Sequence, residues 1–206
     1  MSHGVHAVQH EVEHEIKHAD THGGGLLDNI NKTVALFIGV LALFLAVSET
    51  LGKSAQTAAL SYNIEASNLW SFFQAKNIRR TVVLTAAEAM AIDAAVASEA
   101  NKPALTKQIE TWRSVAARYR SEPDVQEGTV ELAERAKAAE KKRDTALAHH
   151  HHYEVASAAF QIGIVLASAT VITGMIALTW VAMGLGGLGL IFTAIGLFAP
   201  NAVHLF

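Results

Sequence analysis

The sequence predicts an all-α integral membrane protein with three transmembrane helices and a long extramembrane antiparallel helical hairpin of coiled-coil-like character. Three observations lead to this prediction. No Asp, Glu, Lys or Arg occurs from residue 155 to residue 206. A second, shorter run without these residues covers 33–48. Between the two runs lie two stretches of nearly equal length whose composition favours helix.

The prediction divides the chain into four parts. They are a His-rich N-terminal tail at 1–28, a first transmembrane helix at 29–52, the hairpin at 53–153 and a two-helix transmembrane hairpin at 154–206. The mean hydropathy of +0.26 and the apolar fraction of 51% are high for a soluble protein. The concentration of apolar residues in two runs is stronger evidence than either average.

The first apolar run, Thr33–Ser48, is short for a membrane span, which needs about 20 apolar residues. Extending the helix to Leu27–Leu51 gives enough length, because Lys32 can then snorkel and Glu49 lies near the interface. A signal peptide is the alternative. The long polar segment before the run and the absence of a small-x-small cleavage pattern favour a span near 29–51.

The second apolar run is too long for a single span. As one helix, 155–206 would measure ~78 Å, against a hydrocarbon core of ~30 Å. The chain is therefore predicted to reverse at the glycine-rich segment 184–189, which gives spans near 155–183 and 188–205. This segment lies inside an apolar run, follows no strand and lacks the residues of a phosphate-binding loop. Its glycines also allow close packing of spans.

The hairpin prediction follows from the equal arms. No Pro or Gly occurs from Lys53 to Ala100, and Asn101–Pro103 is a turn signal with Pro103 opening the next helix. Arms at 53–100 and 104–152 would each be ~72 Å long. The return arm is interrupted around 121–124, and its apolar residues on one face are Leu105, Ile109, Trp112, Ala116, Tyr119, Leu132, Ala136, Ala139, Ala146 and Tyr153. An isolated pair of Ala-rich helices would be marginal, so a homo-oligomer is predicted.

The composition excludes several functional classes. The chain has no cysteine, which excludes disulfides, thiolate metal sites and cysteine nucleophiles. Its net charge of −3 gives no indication of nucleic-acid binding. No charge lies in the core of any predicted span, which argues against a proton relay or an ion-coupled transporter. Among the polar residues of the second span, Gln161, Ser168, Thr170 and Thr173, only Gln161 requires an inter-helix partner. We predict no catalytic residue and no tightly bound cofactor, and therefore no enzyme.

The N-terminal tail is a candidate metal site. On a helix, residues three and four apart share a face, and imidazoles at that spacing can chelate Zn²⁺, Cu²⁺ or Ni²⁺. The candidate ligands are His6, His10, His14 and His18. The alternative is an amphipathic interfacial helix, because Val5, Val8, Val12, Ile16 and Ala19 form an apolar stripe on the same segment. The composition of the segment favours the interfacial helix, with no physiological metal, over a metal site.

A second histidine cluster is internal, at His149, His150, His151 and His152. Consecutive residues point around a helix, so within one chain at most two can share a ligand set. The cluster lies one turn before the charge-free run, where a polar belt with Tyr153 at the membrane interface is the simpler interpretation. The functional alternative is a metal or proton site formed between subunits.

The segment SNLWSFFQAKNIRR, 67–80, is rich in aromatic residues and ends in basic ones. The simpler interpretation is a packing cluster between the two arms, and the alternative is a contact with a partner or lipid. This segment resembles the signature of an uncharacterised bacterial membrane-protein family, domain of unknown function 4337. The segment HHYEVASAAFQIGIVLASATVIT, 151–173, is similar to a second block of that family.

The resemblance covers roughly residues 30–200 and implies a bacterial inner-membrane protein with one span, a helical domain and two further spans. It implies no catalytic residue, because the family has no established activity. Members often carry basic residues between the last two spans, and this sequence has none there.

Basic residues near the spans favour a cytoplasmic hairpin. They are Lys53, Arg135, Lys137, Lys141, Lys142 and Arg143 on the hairpin side, against Lys17 and Lys32 on the tail side.

The leading functional hypothesis is a non-enzymatic, oligomeric scaffold or assembly protein of the bacterial inner membrane, with lipids and further copies of itself as partners. Two alternatives stay open. One is a metal-handling membrane protein that uses the His-rich tail. The other is an oligomeric pore lined by the second span, for which Gln161 and Thr170 are candidate polar lining residues.

Overall fold

The computed structural model describes residues 24–202, and side chains from residue 31 onward. Within this range the chain forms four α-helices and no strand, which confirms the all-α prediction. The helices are α1 (Gly24–Val96), α2 (Lys102–Arg120), α3 (Thr129–Thr173) and α4 (Ile176–Phe198). The first apolar run and the outbound arm thus belong to one helix, as the absence of a helix breaker predicts.

Three helices are long and apolar enough to cross a membrane. They are the Asn31–Val96 part of α1, together with α3 and α4. This finding rests on length and composition, and it agrees with the number of spans that the sequence predicts. The first turn of α2 contains Pro103, where a missing backbone N–H costs no intrahelical hydrogen bond.

The chain divides into two compact units. The first, which we call the apolar unit, contains the described residues up to Lys53 and from His149 onward. The second, the polar unit, is Ser54–Ala148. Both α1 and α3 contribute residues to each unit.

The apolar unit has a core of interlocking aromatic and small side chains from α1, α3 and α4. Phe160 of α3 is fully buried and its ring stacks on Phe44 of α1, with the ring centroids 6.0 Å apart. The buried residues of the two core clusters are Val34, Leu41, Ala156, Phe160, Ala167 and Ala182. Small residues at the contacts let the helices approach closely.

The small residues of α4 form one buried face, which we call the glycine seam. It consists of Ala182, Gly186, Gly189 and Gly196. A Cβ on Gly189 would lie 2.7 Å from Cε1 of Phe160, and a Cβ on Gly186 would lie 2.8 Å from Cδ2 of Leu41. The seam therefore accommodates large side chains of α1 and α3 only because Gly186 and Gly189 have no side chains.

The predicted reversal at 184–189 is wrong. The chain reverses at Gly174–Met175. The span predicted at 155–183 therefore ends with α3 at Thr173, and the span predicted at 188–205 corresponds to α4. Gly174 has φ +71°, a left-handed conformation that glycine adopts without steric cost. Its N–H donates to the Thr170 carbonyl at 2.8 Å and caps α3. The glycines at 184–189 serve helix packing rather than a turn.

The polar unit has its own apolar core, formed between α1 and α3. The cluster consists of Ala66, Leu69, Leu132, Ala136 and Ala139, with Trp70 and Phe73 packed against it. The Nε1–H of Trp70 donates to Oε1 of Glu140 at 2.9 Å, which joins α1 to α3 at the edge of the cluster. The apolar faces predicted for the return arm are therefore confirmed as buried or half-buried faces.

The interruption between α2 and α3, at 121–128, is held by the carboxylate of Glu131 in the first turn of α3. One carboxylate oxygen accepts from the Ser121 hydroxyl and the other accepts from the Glu122 backbone N–H at 3.3 Å. A Cβ at Gly128 would lie 2.6 Å from Glu122 N and from Ser121 Cα. Glycine is therefore required at this helix start.

The hydrogen bond from Ser121 holds the pKa of the Glu131 carboxyl below its ordinary value. Backbone N–H groups and the charge of Lys76 act in the same direction, and desolvation opposes them. A carboxyl whose pKa is lower in the folded state stabilises the fold above its unfolded pKa of about 4.3. That stabilisation is lost as the pH falls through the folded pKa.

We expect Glu131→Gln to lower the unfolding free energy at pH 6, and we expect the gap to the wild type to narrow toward pH 3. Chemical denaturation followed by circular dichroism at both pH values measures this. The matched control is Glu134→Gln, an exposed carboxylate in the next turn of the same helix. A gap that is the same at both pH values, or equal in the control, would contradict the assigned role.

Candidate functional site

The histidines at 149–152 lie in α3 and belong to the apolar unit, where three of them bind backbone carbonyls. His149 Nδ1–H donates to the Gly196 carbonyl at 2.6 Å, and His152 Nε2–H donates to the Pro200 carbonyl at 2.9 Å. A carbonyl oxygen only accepts, so the ring nitrogen carries the proton in each pair. The last carbonyls of a helix have no intrahelical partner. These two bonds, which we call the histidine clamp, supply partners at the end of α4.

The other two histidines face different groups. His150 Nδ1–H donates to the Gly52 carbonyl of α1 at 3.1 Å. His150 Nε2 and His151 Nδ1 each lie 3.9 Å from Oε2 of Glu154. Four consecutive residues thus point around the helix, as helix geometry requires, and the cluster connects α3 to both α1 and α4.

Within residues 31–202 no group of three His, Asp or Glu side chains is arranged to hold a metal ion. Three of the four imidazoles use one ring nitrogen for a backbone carbonyl, and the second ring nitrogen of His150 lies near the Glu154 carboxylate. A metal or proton site between subunits at His149–His152 therefore stays a prediction. The tail ligands His6, His10, His14 and His18 lie outside the described residues.

A recess of about 210 Å³ lies beside the cluster within the apolar unit. Its lining carries carboxylates, an ammonium, an imidazole and hydroxyl groups, so both charge signs are present. The lining residues are Ser48, Glu49, Gly52, Lys53, His150, Tyr153, Glu154 and Ser157. This recess can donate and accept hydrogen bonds, which suits the boundary between an apolar and a polar environment.

Two pairs of polar side chains inside the apolar unit join neighbouring helices. Gln161 Nε2–H donates to Oε1 of Glu49 at 3.2 Å, which confirms the prediction that Gln161 requires an inter-helix partner. The hydroxyls of Ser48 and Thr193 lie 3.0 Å apart and join α1 to α4. The sequence analysis missed this second pair, since a lone hydroxyl in an apolar run usually bonds its own helix backbone.

The segment 67–80 is a packing cluster, as the simpler interpretation predicts. Leu69, Trp70 and Phe73 belong to or pack on the core of the polar unit. Trp70 and Phe73 meet edge to face, with centroids 5.4 Å apart.

Lys76, in the same segment, is a buried charge with several partners. Its Nζ lies 3.0 Å from Oε2 of Glu122 and 3.8 Å from Oε2 of Glu127. The same ammonium lies 5.6 Å from the ring centroid of Phe72 and 6.0 Å from that of Tyr119. A buried charge needs such compensation, so these contacts tie α1 to α2 and to the interruption that follows it.

The carboxylate of Glu131 is a second group that the sequence analysis missed. A usable signal exists, because a helix that starts after Gly128 places Glu131 at the third helical position. A glutamate there commonly reaches back to bond an unpaired N–H.

The family model described as "Domain of unknown function (DUF4337)" matches residues 30–199. No curated protein and no solved structure matches the chain.

Proposed function

The chain belongs to the DUF4337 family, and from this premise we propose that it is a non-enzymatic, oligomeric scaffold or assembly protein of the bacterial inner membrane. In this proposal the apolar unit is inserted in the bilayer as three spans. The polar unit is an extramembrane antiparallel hairpin on the cytoplasmic side, and its exposed surface joins copies of the chain.

An apolar stripe on α1, within the polar unit, supports this proposal most directly. Its aliphatic side chains are between 59% and 86% exposed. At about 100° per residue they fall within an arc of about 80° on one helix face. The stripe consists of Leu60, Ile64, Ile78, Val82, Ile92 and Val96, and the uncharged residues between them on that face are Ser67, Ser71, Ala75, Thr85 and Ala89.

A helix face directed at water is normally polar, and exposed aliphatic side chains grouped on one face usually mark a contact surface. Charged residues such as Glu65 and Arg79 lie on the adjacent face of this helix and are exposed. The stripe is therefore flanked by charge, which argues against contact with lipid tails.

A second copy of the chain is the partner that fits this stripe. Together with the small uncharged residues between them, the stripe positions follow one another in steps of three and four, the repeat with which parallel helices interlock in a coiled coil. Identical helices present identical stripes, and a twofold axis brings the same surface of two copies together. The stripe begins shortly after the first candidate span, so copies inserted in one membrane with the same topology would align in register.

Cysteine crosslinking tests the proposal, since the chain contains no cysteine. A disulfide requires Cβ atoms about 3.5–4.5 Å apart. We expect Ile64→Cys and Ile78→Cys to form disulfide-linked dimers in native membranes treated with diamide. The matched control is Glu65→Cys, an exposed neighbour about 100° around the helix, which should stay monomeric.

Two results would contradict the scaffold. One is the absence of crosslinks at every stripe position, together with a monomeric mass for the protein in lipid nanodiscs. The other is crosslinking at Glu65→Cys as efficient as at Ile64→Cys, which indicates random collision rather than a specific surface.

The two alternative functions have less support from the described contacts. The pore hypothesis needs polar groups facing a channel, whereas Gln161 bonds Glu49 and the buried Thr170 hydroxyl bonds Leu166 and Thr179. The metal-handling hypothesis, with Zn²⁺, Cu²⁺ or Ni²⁺, rests on the tail at 1–28.

A further inference from the structure

Three arginines of the polar unit line one cavity of about 180 Å³ between α1 and α2. The remaining lining side chains are aliphatic, and no carboxylate is among them. The lining residues are Arg80, Leu84, Arg113, Ala116, Ala117 and Arg120. Arg113 and Arg120 are exposed and Arg80 is half-buried, so the cavity faces solvent.

None of these three guanidiniums has an ion-pair partner among the residues that the structure describes. Other arginines of the same unit do have partners. Arg118 lies 3.8 Å from Oε1 of Glu122, and Arg143 lies 2.8 Å from Oδ1 of Asp144. What distinguishes the cavity is that three guanidiniums without an ion-pair partner share one lining that contains no carboxylate.

Helix ends explain only part of this arrangement. Arg120 lies in the last turn of α2, where a cation stabilises the negative end of the helix. That reason applies neither to Arg113 in the middle of α2 nor to Arg80 in the middle of α1. Bringing three positive charges around one cavity without a counter-charge is unfavourable unless an anion occupies it.

We propose that this cavity is a binding site for a phosphate-type oxyanion. A guanidinium presents its N–H donors in a planar fork that matches phosphate oxygens in pairs. The aliphatic floor formed by Leu84, Ala116 and Ala117 offers no competing acceptor, so the donors stay available. The ligand is a free phosphate group or the phosphodiester of a lipid headgroup, which share this chemistry.

The site is independent of the scaffold. Arg80 lies on a different face of α1 from Ile78 and Val82, and the other two arginines lie in α2. Binding requires only one copy of the chain. Loss of anion binding and loss of self-association are therefore separable results.

Titration calorimetry on the full-length protein in phosphatidylcholine nanodiscs tests the proposal. The probes are inorganic phosphate, pyrophosphate and dihexanoyl-phosphatidylglycerol below its micelle concentration, at constant ionic strength set with chloride. Saturable binding of phosphate or pyrophosphate alone assigns a soluble ligand, and binding of the phosphodiester alone assigns a lipid headgroup. If the inorganic anions and the phosphodiester both bind, the site recognises the phosphate chemistry that they share. If none of the three probes shows saturable binding, the proposal is overturned.

Variants locate the binding. Arg80→Gln and Arg113→Gln each remove one charge-assisted hydrogen-bonding group. Each should therefore raise the dissociation constant of the bound probe about tenfold or more. The control Arg118→Gln, whose guanidinium is exposed and already paired, should change it by less than about twofold. Ala117→Glu keeps every arginine and places a carboxylate on the exposed edge of the cavity, so it should abolish binding. Equal affinity in all four variants would overturn the assignment of the site, and circular dichroism verifies that each variant keeps its helix content.

Discussion

Leu132→Ala is expected to lower the unfolding free energy of the polar unit by about 2–5 kcal/mol, the range for truncating a large buried aliphatic side chain. Leu132 is fully buried in the cluster that joins α1 to α3. Its neighbours there, Ala136 and Ala139, are too small to fill the space that the substitution leaves. The loss therefore combines the transfer free energy of the removed atoms with the cost of a cavity.

The matched control for this prediction is Leu147→Ala, which makes the same chemical change in the same helix and the same unit. Leu147 is 36% exposed, so its truncation should cost about 1 kcal/mol or less. Urea denaturation of the two variants followed by circular dichroism compares them directly. Equal midpoints for Leu132→Ala and Leu147→Ala would show that the cluster does not stabilise the unit.

Gly189→Val is expected to destabilise the apolar unit by about 1–3 kcal/mol or more, because the added side chain overlaps the ring of Phe160. A Cβ at Gly189 would lie within 2.9 Å of three atoms of that ring. The ring stacks on Phe44 and has no space into which it can withdraw. The helices must therefore separate, and contacts along the glycine seam are lost with them.

Two further variants make this test specific. Gly187→Val changes helix propensity by the same amount as Gly189→Val. A Cβ at Gly187 meets nothing within 4 Å, so Gly187→Val should be tolerated. Combining Gly189→Val with Phe160→Ala should cost less than the sum of the two single changes, because the ring is no longer there to collide. Thermal unfolding in detergent measures the four proteins. Additive effects would show that Gly189 and Phe160 are not in contact.

The sequence predicted the helical elements of this protein well, since their signals are local and repeated. Apolar runs fixed three candidate spans, and the spacing from Leu132 to Tyr153 identified a buried face. The turn position between α3 and α4 could not be chosen by the same reasoning. Gly174 is a single glycine beside Thr173 and Met175, and the run at 184–189 contains four glycines. Packing against Phe160 and Leu41 decides which glycines turn the chain, and those contacts are not local in sequence.

The candidate sites show the same limit. Periodicity indicated that His149–His152 would point around a helix, and they do. Their carbonyl partners lie about a hundred residues before and almost fifty residues after them in the chain, where no pattern marks a carbonyl as available. Likewise Arg80 and Arg120 line one cavity although forty positions separate them. Only the packing of α2 against α1 brings such residues together.

The short turn at Gly174–Met175 constrains how the chain can change in evolution. One residue inserted between this turn and Ala182 would rotate every later position of α4 by about 100° and shift it by about 1.5 Å. Gly189 would then leave the ring of Phe160, and Leu188 would take its place. Insertions and deletions should therefore be eliminated along this stretch, where chain length matters as much as residue identity. Insertions and deletions should be tolerated better at residues 124–126, which are exposed and lie between α2 and α3.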